Sequence, residues 1–362
     1  MRFTRRELGR LAAMGAASRM ASRAVAQEPD RPFRYCMVGL GRISMQHFMP
    51  GTRQSKHSRV TALVSGHRDK ADKMAAEYGI PAKNIYNYEN YDAIAQNRDI
   101  DAVYIALPNG MHAEYTIRAA KAGKHVLCEK PMANTAAEAQ GMVDACRQAN
   151  RKLMIAYRCQ FEPANLQAIQ LIRDGKLGTI QSIESANGFN IRAGEWRITK
   201  TLGGGGPLMD MGIYSLNACR YLTGEEPTGE LKAYSSVTDR DGRFKEVEEN
   251  LSWTMKFPSG AMATCTTTYG AGMPGTFTVY GSKGTMHMDA AFGYQGQHLT
   301  AKPQGEPAVD LAPAERDPAH FPRIADHLAE CVMENKELRA SGEEGLRDMK
   351  LIAAIYQSCG RG

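Results

Sequence analysis

Two hydrophobic periods divide this chain. Up to about residue 157, short continuous apolar runs alternate with amphipathic stretches at helical spacing. The runs predict a short buried strand running into a glycine turn over 34–41, and buried strands over Arg59–Ser65, Asp101–Leu107, His125–Cys128 and Lys152–Ala156. The stretches between them predict helices over Ala71–Tyr78, Tyr91–Gln96, His112–Ala122 and 135–149. Pro108 stops the third strand, and Gly79 and Gly123 close two helices. Strand and helix alternating at this spacing form a parallel sheet with helices on both faces.

Beyond Arg158 the apolar residues recur at every second position. Thr179–Asn187, Glu230–Val237, Glu246–Phe257, Ala261–Tyr269 and Thr276–Gly281 read as strands of a largely antiparallel sheet with one face exposed. Helices are predicted over Pro163–Arg173, Phe321–Asn335 and Gly342–Ser358, and residues 296–316 read as a polar loop. The fold class is therefore α/β: a Rossmann-type dinucleotide-binding domain over 35–157, then an α+β domain over 158–362 with a large mostly antiparallel sheet.

Composition narrows the class. The chain has 362 residues, 43% hydrophobic and 23% charged, which excludes a disordered chain, a collagen-like repeat and a polytopic membrane protein. The net charge of +6 is uneven, because residues 1–26 carry six arginines and one acid. The body is nearly neutral and offers no surplus for phosphates, so nucleic acid is not an expected partner. Neither a CxxC pair nor an H-E-x-x-H run occurs, so no metal is predicted.

The basic start has its own pattern. Thr4, Arg5, Arg6, Glu7 and Leu8 precede a short apolar run, Leu11–Ala17, and Ala24, Val25 and Ala26 supply a small-residue cleavage site. This predicts a twin-arginine signal over 1–26, export to the periplasm, and an N-terminal arm over 27–34. The apolar run is too short to span a bilayer. Cys36 and Cys128 lie in apolar runs and are expected as buried free thiols.

Candidate chemistry gathers at the predicted strand ends. Gly39, Leu40, Gly41, Arg42, Ile43 and Ser44 form G-x-G-x-x-S between a strand and a helix. The first two glycines suit a tight turn and close approach to a pyrophosphate; Ser44 stands where Gly or Ala is usual. The second strand ends Ser65, Gly66, His67, Arg68, Asp69, Lys70, with no acid at the position that would bind a ribose 2′-hydroxyl. Ser65, Arg68 and Lys70 favour a 2′-phosphate, so the expected cofactor is NADP. Leu107, Pro108 and Asn109, then Glu129, Lys130 and Pro131, fall at later strand ends where ligands bind. Asp210 and Tyr214 are four residues apart on a predicted helix, after four glycines, 203–206, able to lie close to a ligand. A phenol beside the Lys130 ammonium can take a proton from a sugar hydroxyl while hydride leaves the same carbon.

These residues resemble the glucose-fructose oxidoreductase, inositol dehydrogenase and rhizopine-catabolism (Gfo/Idh/MocA) family. The likeness rests on Gly39–Gly41, Leu107–Asn109 with His112, Ala122–His125, Glu129–Pro131 and Gly203–Tyr214, and it spans about 33 to 358. Leu63–Gly66, Leu153–Arg158, Trp196–Arg197 and Gly224–Pro227 match its glucose-fructose branch, which has tyrosine where most relatives have histidine at the position of Tyr214. The resemblance implies that Lys130 contacts the reacting hydroxyl, that Tyr214 is the acid/base, and that Asp210 fixes substrate and tyrosine. It implies sugars as substrates, and contacts to cofactor or pocket from His112, Glu129, Arg158, Trp196 and Arg197. The exposed sheet face is an oligomer interface in the family, and a homodimer is expected here. The arm and tail are shorter than in that branch. Three functions stay open: aldose oxidation coupled to reduction of a second sugar on retained NADP, an ordinary NADP-dependent aldose dehydrogenase, and a non-catalytic binding protein.

Overall fold

The computed structural model describes residues 31–313 and 320–361. Six strands build the first sheet: β1 (Phe33–Val38), β2 (Ser58–Val64), β3 (Ile85–Tyr86), β4 (Ala102–Ile105), β5 (His125–Cys128) and β6 (Leu153–Ile155). Their order is β3-β2-β1-β4-β5-β6 and every pair is parallel. All of β4 is fully buried, as a sheet covered on both faces requires. Helices α1 (Arg68–Tyr78), α2 (His112–Lys121) and α3 (Ala136–Gln148) come from the same stretch. Thr135 and Glu138 close a reciprocal capping box at the start of α3. The strand order turns back between β1 and β4, so a crevice opens beyond their carboxyl ends.

The second sheet runs β14-β13-β12-β11-β7-β10-β9-β8. Its strands are β7 (Ile180–Gly188), β8 (Leu231–Ser236), β9 (Asn250–Lys256), β10 (Met262–Thr268), β11 (Met273–Gly281), β12 (Gly284–Asp289), β13 (His298–Pro303) and β14 (Val309–Leu311). Only the β7–β10 pair is parallel. In β9, Leu251, Trp253 and Met255 point into the core while Ser252 and Thr254 point outward. Residues 298–303 and 309–311, expected within a loop, are strands. Along β13 the buried positions are Leu299 and Ala301 between His298, Thr300 and Lys302, too little apolar bulk to stand out in a polar stretch. β12 was likewise missed, although Met286 and Met288 alternate correctly.

Helix α4 (Pro163–Arg173) starts at Pro163, with Glu162 capping Ala164 and Asn165. A π-helical turn, Leu208–Gly212, leads into α5 (Ile213–Thr223), which packs on β7 and β10. The last helices, α6 (His320–Met333) and α7 (Gly342–Ser358), return to the first sheet. The Tyr35 hydroxyl donates to Ala325 O at 2.9 Å, and Asp326 accepts from the Ser58 hydroxyl at 2.9 Å. Helix α7 packs on α3. One apolar core therefore runs through both sheets. The described residues from Phe33 onward form one compact unit. Residues 1–26, expected as a twin-arginine signal, and residues 27–30 of the expected arm lie outside the described residues. Phe33 and Arg34, assigned to the arm, belong to β1, where Arg34 pairs with Asp99 at 2.9 Å and Asp101 at 3.2 Å. Cys36 and Cys128 are fully buried free thiols.

Candidate active site

The crevice begins at the glycine turn after β1. Gly39 has φ +89°, and a Cβ there would sit 2.6 Å from Ala106 O. Glycine lets the turn tuck against the end of β4. Gly41 is different, because a Cβ would meet nothing within 4 Å. Ser44 is fully buried and its hydroxyl donates to Gly39 O, so the unusual third residue pins the turn. Leu40 is buried, Ile43 is half-buried, and Arg42 is exposed with Nε donating to Gln46 Oε1 at 3.2 Å. Lys70 reaches back over the turn, its Nζ 3.1 Å from Leu40 O. Ser65 Oγ accepts from His67 N at 3.1 Å, and Gly66 makes room for the Tyr88 ring. Arg68 pairs with Asp72 at 2.9 Å on the surface of α1, a contact worth little. Open space over Gly41, a hydroxyl rather than an acid at Ser65, and two cations one turn on fit a dinucleotide bearing a 2′-phosphate.

Two expected ligand contacts turn out to be internal ties. His112 is fully enclosed between Pro131 O, 2.8 Å from Nδ1, and Leu107 O, 2.9 Å from Nε2. Burial above all holds its pKa below the usual value. It joins the loops after β4 and β5 and has no face left for a cofactor. Asn109 is 6% exposed and donates to Gly203 O at 2.9 Å, so it braces the glycine run. Leu107 and Pro108 stay half-buried at the crevice edge. Glu129 accepts from the Tyr104 hydroxyl and from Lys130 N at 3.2 Å; burial pushes its carboxyl above the usual range.

The glycines at 203–206 also serve the protein itself, not a ligand as expected. A Cβ at Gly203 would strike Arg197 O, at Gly204 the Asn134 side chain, at Gly205 the Tyr356 hydroxyl, and at Gly206 Glu248 O. The Glu248 carboxylate accepts from Gly206 N at 3.1 Å, Leu208 N at 3.3 Å and the Tyr356 hydroxyl at 2.9 Å. The run is pressed against this support, which sets the start of the turn carrying Asp210.

Lys130, Asp210 and Tyr214 meet at the carboxyl end of the first sheet. Lys130 Nζ donates to Asp210 Oδ1 at 2.9 Å and Asp210 O at 2.6 Å, and lies 4.5 Å from the centre of the Tyr214 ring. The other carboxylate oxygen, Oδ2, accepts from Arg197 Nε at 3.1 Å and the Tyr269 hydroxyl at 3.0 Å. Burial works against the Asp210 charge, but Lys130 and Arg197 outweigh it and bring the carboxyl down to about 2. Burial likewise opposes the Lys130 charge, and Asp210 more than restores it, so the ammonium titrates above its usual value. The Arg197 guanidinium lies 4.4 Å over the Trp196 ring. Arg158, expected as a cofactor contact, is 4% exposed and donates to Phe292 O and, at 2.7 Å, to Gly293 O. It lies 4.2 Å from the Tyr294 ring centre and 5.2 Å from that of Tyr214.

Tyr269, Tyr294, Glu248 and Tyr356 were not anticipated as part of the site. Tyr269 had a signal, since it ends a predicted strand. The others reach the site only through tertiary packing.

Both parts of the chain match known families. The family model described as "Oxidoreductase family, NAD-binding Rossmann fold" matches residues 33–157, and the "GFO/IDH/MocA C-terminal domain" matches 165–287. A D-xylose 1-dehydrogenase [NADP(+)] of Haloarcula marismortui is 31% identical over 337 residues, covering 91% of each chain. The crystal structure of an aldose-aldose oxidoreductase from Caulobacter crescentus, complexed with glycerol, superposes with TM-score 0.88 at 44% identity, covering 92% of this chain and 98% of that one. A levoglucosan dehydrogenase in complex with NADH and levoglucosan shares the fold, with TM-score 0.81 at 21% identity over 91% of this chain and 98% of its own.

Proposed function

The chain belongs to the GFO/IDH/MocA oxidoreductase family, and from that premise we propose that it is an NADP-dependent sugar oxidoreductase. It oxidises an aldose at C1 to the lactone and reduces a second aldose to the alditol, recycling NADP(H) within the same site. The likeness to an aldose-aldose oxidoreductase at 44% identity supports this reading of the acceptor. The observation that carries the reading is the cluster of Lys130, Asp210 and Tyr214 beside the glycine-turn crevice.

A bound nicotinamide supplies the hydride acceptor and donor. Tyr214 takes the C1 hydroxyl proton in oxidation and returns a proton in reduction. Lys130 holds the oxygen that loses or gains that proton, and Asp210 fixes the ammonium in place. A base so positioned contributes about 10²–10⁴ in rate. Arg68 and Lys70 hold the 2′-phosphate. In the same reading the chain is exported by the twin-arginine route, already loaded with cofactor, and pairs as a homodimer through the outer face of the second sheet. Tyr234, 81% exposed on that face, and Met262, 53% exposed, support the last point. A one-way dehydrogenase with exchanging NADP is the second reading, favoured by the xylose dehydrogenase relative.

The test uses desalted protein with no added cofactor. Feeding one aldose should yield aldonic acid and alditol in equal amounts, and denaturation should release NADP(H). Turnover that appears only with added NADP establishes the one-way reading instead. Y214F should lose about 10²–10⁴ of kcat; retained turnover refutes the assignment of Tyr214.

A further inference from the structure

Two cations flank Tyr214, and they are not equivalent. Lys130 is already matched, because its ammonium binds the Asp210 carboxylate at 2.9 Å. Arg158 is not. Its guanidinium is held by the Phe292 and Gly293 carbonyls and by the faces of Tyr294 and Tyr214. Its buried Nε has no hydrogen-bond partner, and no ion pair to Arg158 forms among the described residues. Neutral carbonyls and rings compensate a buried charge incompletely, so such a cation favours an anion forming beside it.

Four groups around Arg158 can carry negative charge, Glu129, Cys159, Tyr294 and Tyr214, and burial keeps the Cys159 thiol and the Tyr294 phenol protonated. Tyr214 is faced by Lys130 from the end of β5, by Arg158 after β6 and by Tyr294 from the segment after β12, and the Lys130-bound Asp210 stands four residues before it in the same helical run. Glu129 is hydrogen-bonded to Tyr104 and Lys130 N, while Arg197 and Tyr269 are committed to Asp210. The phenol of Tyr214 is the group that must become anionic when it serves as a base.

We propose that Arg158 is a positioning residue that acts through Tyr214: its unmatched guanidinium, rather than the Asp210-bound Lys130, supplies the positive charge that stabilises the Tyr214 phenolate. The inference rests on Tyr214 being the acid/base of the proposed function. In oxidation the phenolate accepts the sugar hydroxyl proton and becomes neutral phenol; in reduction the phenol gives that proton back. Arg158 changes how readily this one proton leaves, and takes none itself, since a guanidinium stays protonated.

The experiment compares wild type, R158Q and R158K in full-length protein. Glutamine keeps a donor for the Phe292 and Gly293 carbonyls and removes the charge, whereas lysine keeps the charge. Two readouts are taken: the pH profile of kcat/KM for aldose oxidation, and an ultraviolet-difference titration of the phenolate with Y214F as the blank. R158Q should move both half-points upward by about 1 to 2 on the pH scale, and R158K should return them most of the way. Melting curves check that each variant is folded, and R158M, which also removes the charge, takes the place of R158Q if R158Q does not fold. Equal losses of kcat in both variants with unmoved half-points would overturn the proposal, leaving Arg158 as a brace for residues 292–293. Loss of NADP binding with the titration unmoved overturns it as well. Turnover retained by Y214F refutes Tyr214 as the acid/base on which the inference rests, whereas an unmoved titration in an otherwise Tyr214-dependent enzyme refutes only the role of Arg158.

Discussion

The glycine turn at 39–41 and the glycine run at 203–206 look alike in sequence and do opposite work. At Gly41 the space a side chain would fill is open, and it lies where strand order reverses. At 203–206 the space is already filled by Arg197, Asn134, Tyr356 and Glu248. The first turn keeps backbone clear for a ligand. The second lets backbone approach its own scaffold, so that a helix start is fixed to within a hydrogen bond. Glycine marks close approach in both places, but the partner differs.

This contrast is broken most severely at Gly206. In G206A the new methyl overlaps Glu248 O and crowds its carboxylate. The turn that presents Asp210 must then move away from Gly206 N and Leu208 N, its two anchors. Overpacking of this kind costs about 1–3 kcal/mol. Misplacing the catalytic cluster by about 1 Å should cost a further 100-fold in kcat. Denaturant melts and steady-state rates check both, and G206A with wild-type stability and turnover would put the run back among ligand-facing loops.

A smaller effect concerns the group that this run presents. Asp210 has its carboxyl drawn down to about 2 from an ordinary value of 3.8, with burial opposed and outweighed by Lys130 and Arg197. A carboxyl depressed in the folded state stabilises it above the unfolded pKa, and that stabilisation disappears as pH falls through the folded pKa. Wild type should therefore lose up to about 2.5 kcal/mol in all beyond what D210N loses, about 1.8 kcal/mol of it between pH 4 and pH 2. Urea unfolding across that range measures it. Identical acid slopes would mean that the Lys130–Asp210 pair is not formed in solution.

Much of this is legible in the pattern of residues. Buried apolar runs are hard to read as anything but strands when helices with clear stops separate them, and β5, α4 and α7 fall where their patterns place them. Lys130, Asp210 and Tyr214 were legible because each sits at a strand end or helix start. The supports were not. Glu248 is 42 residues from Gly206 and Tyr356 is 108 from Glu248, and no local pattern links them. Asn109 and His112 follow the end of β4, in the loop and at the helix start where ligand contacts are expected, yet bond to the protein. Strand β13 failed for another reason: Ala301 adds too little hydrophobicity for a period of two to rise above its polar neighbours. The second sheet is thus read less well than the first, since half-exposed strands carry half the apolar signal.

The gentlest test falls on the other side of the contrast, at Gly41. A methyl there meets nothing within 4 Å, and the backbone is not in the left-handed region. G41A should therefore keep its stability to within about 0.5 kcal/mol. The methyl nevertheless stands in the crevice that the switch between β1 and β4 opens, above the turn that Ser44 and Lys70 hold in place. A pyrophosphate packed on that turn must retreat by part of a methyl radius, and its charge-assisted contacts to backbone N–H groups lengthen. The expected outcome is about a tenfold weaker NADP affinity, near 1.4 kcal/mol, with an unchanged melting temperature in the cofactor-free protein. Calorimetric titration of stripped protein reads the affinity, and a thermal melt of the same sample reads the fold. Lost stability with intact affinity would show that this turn too is closed on the protein, and the two glycine regions would then differ only in sequence.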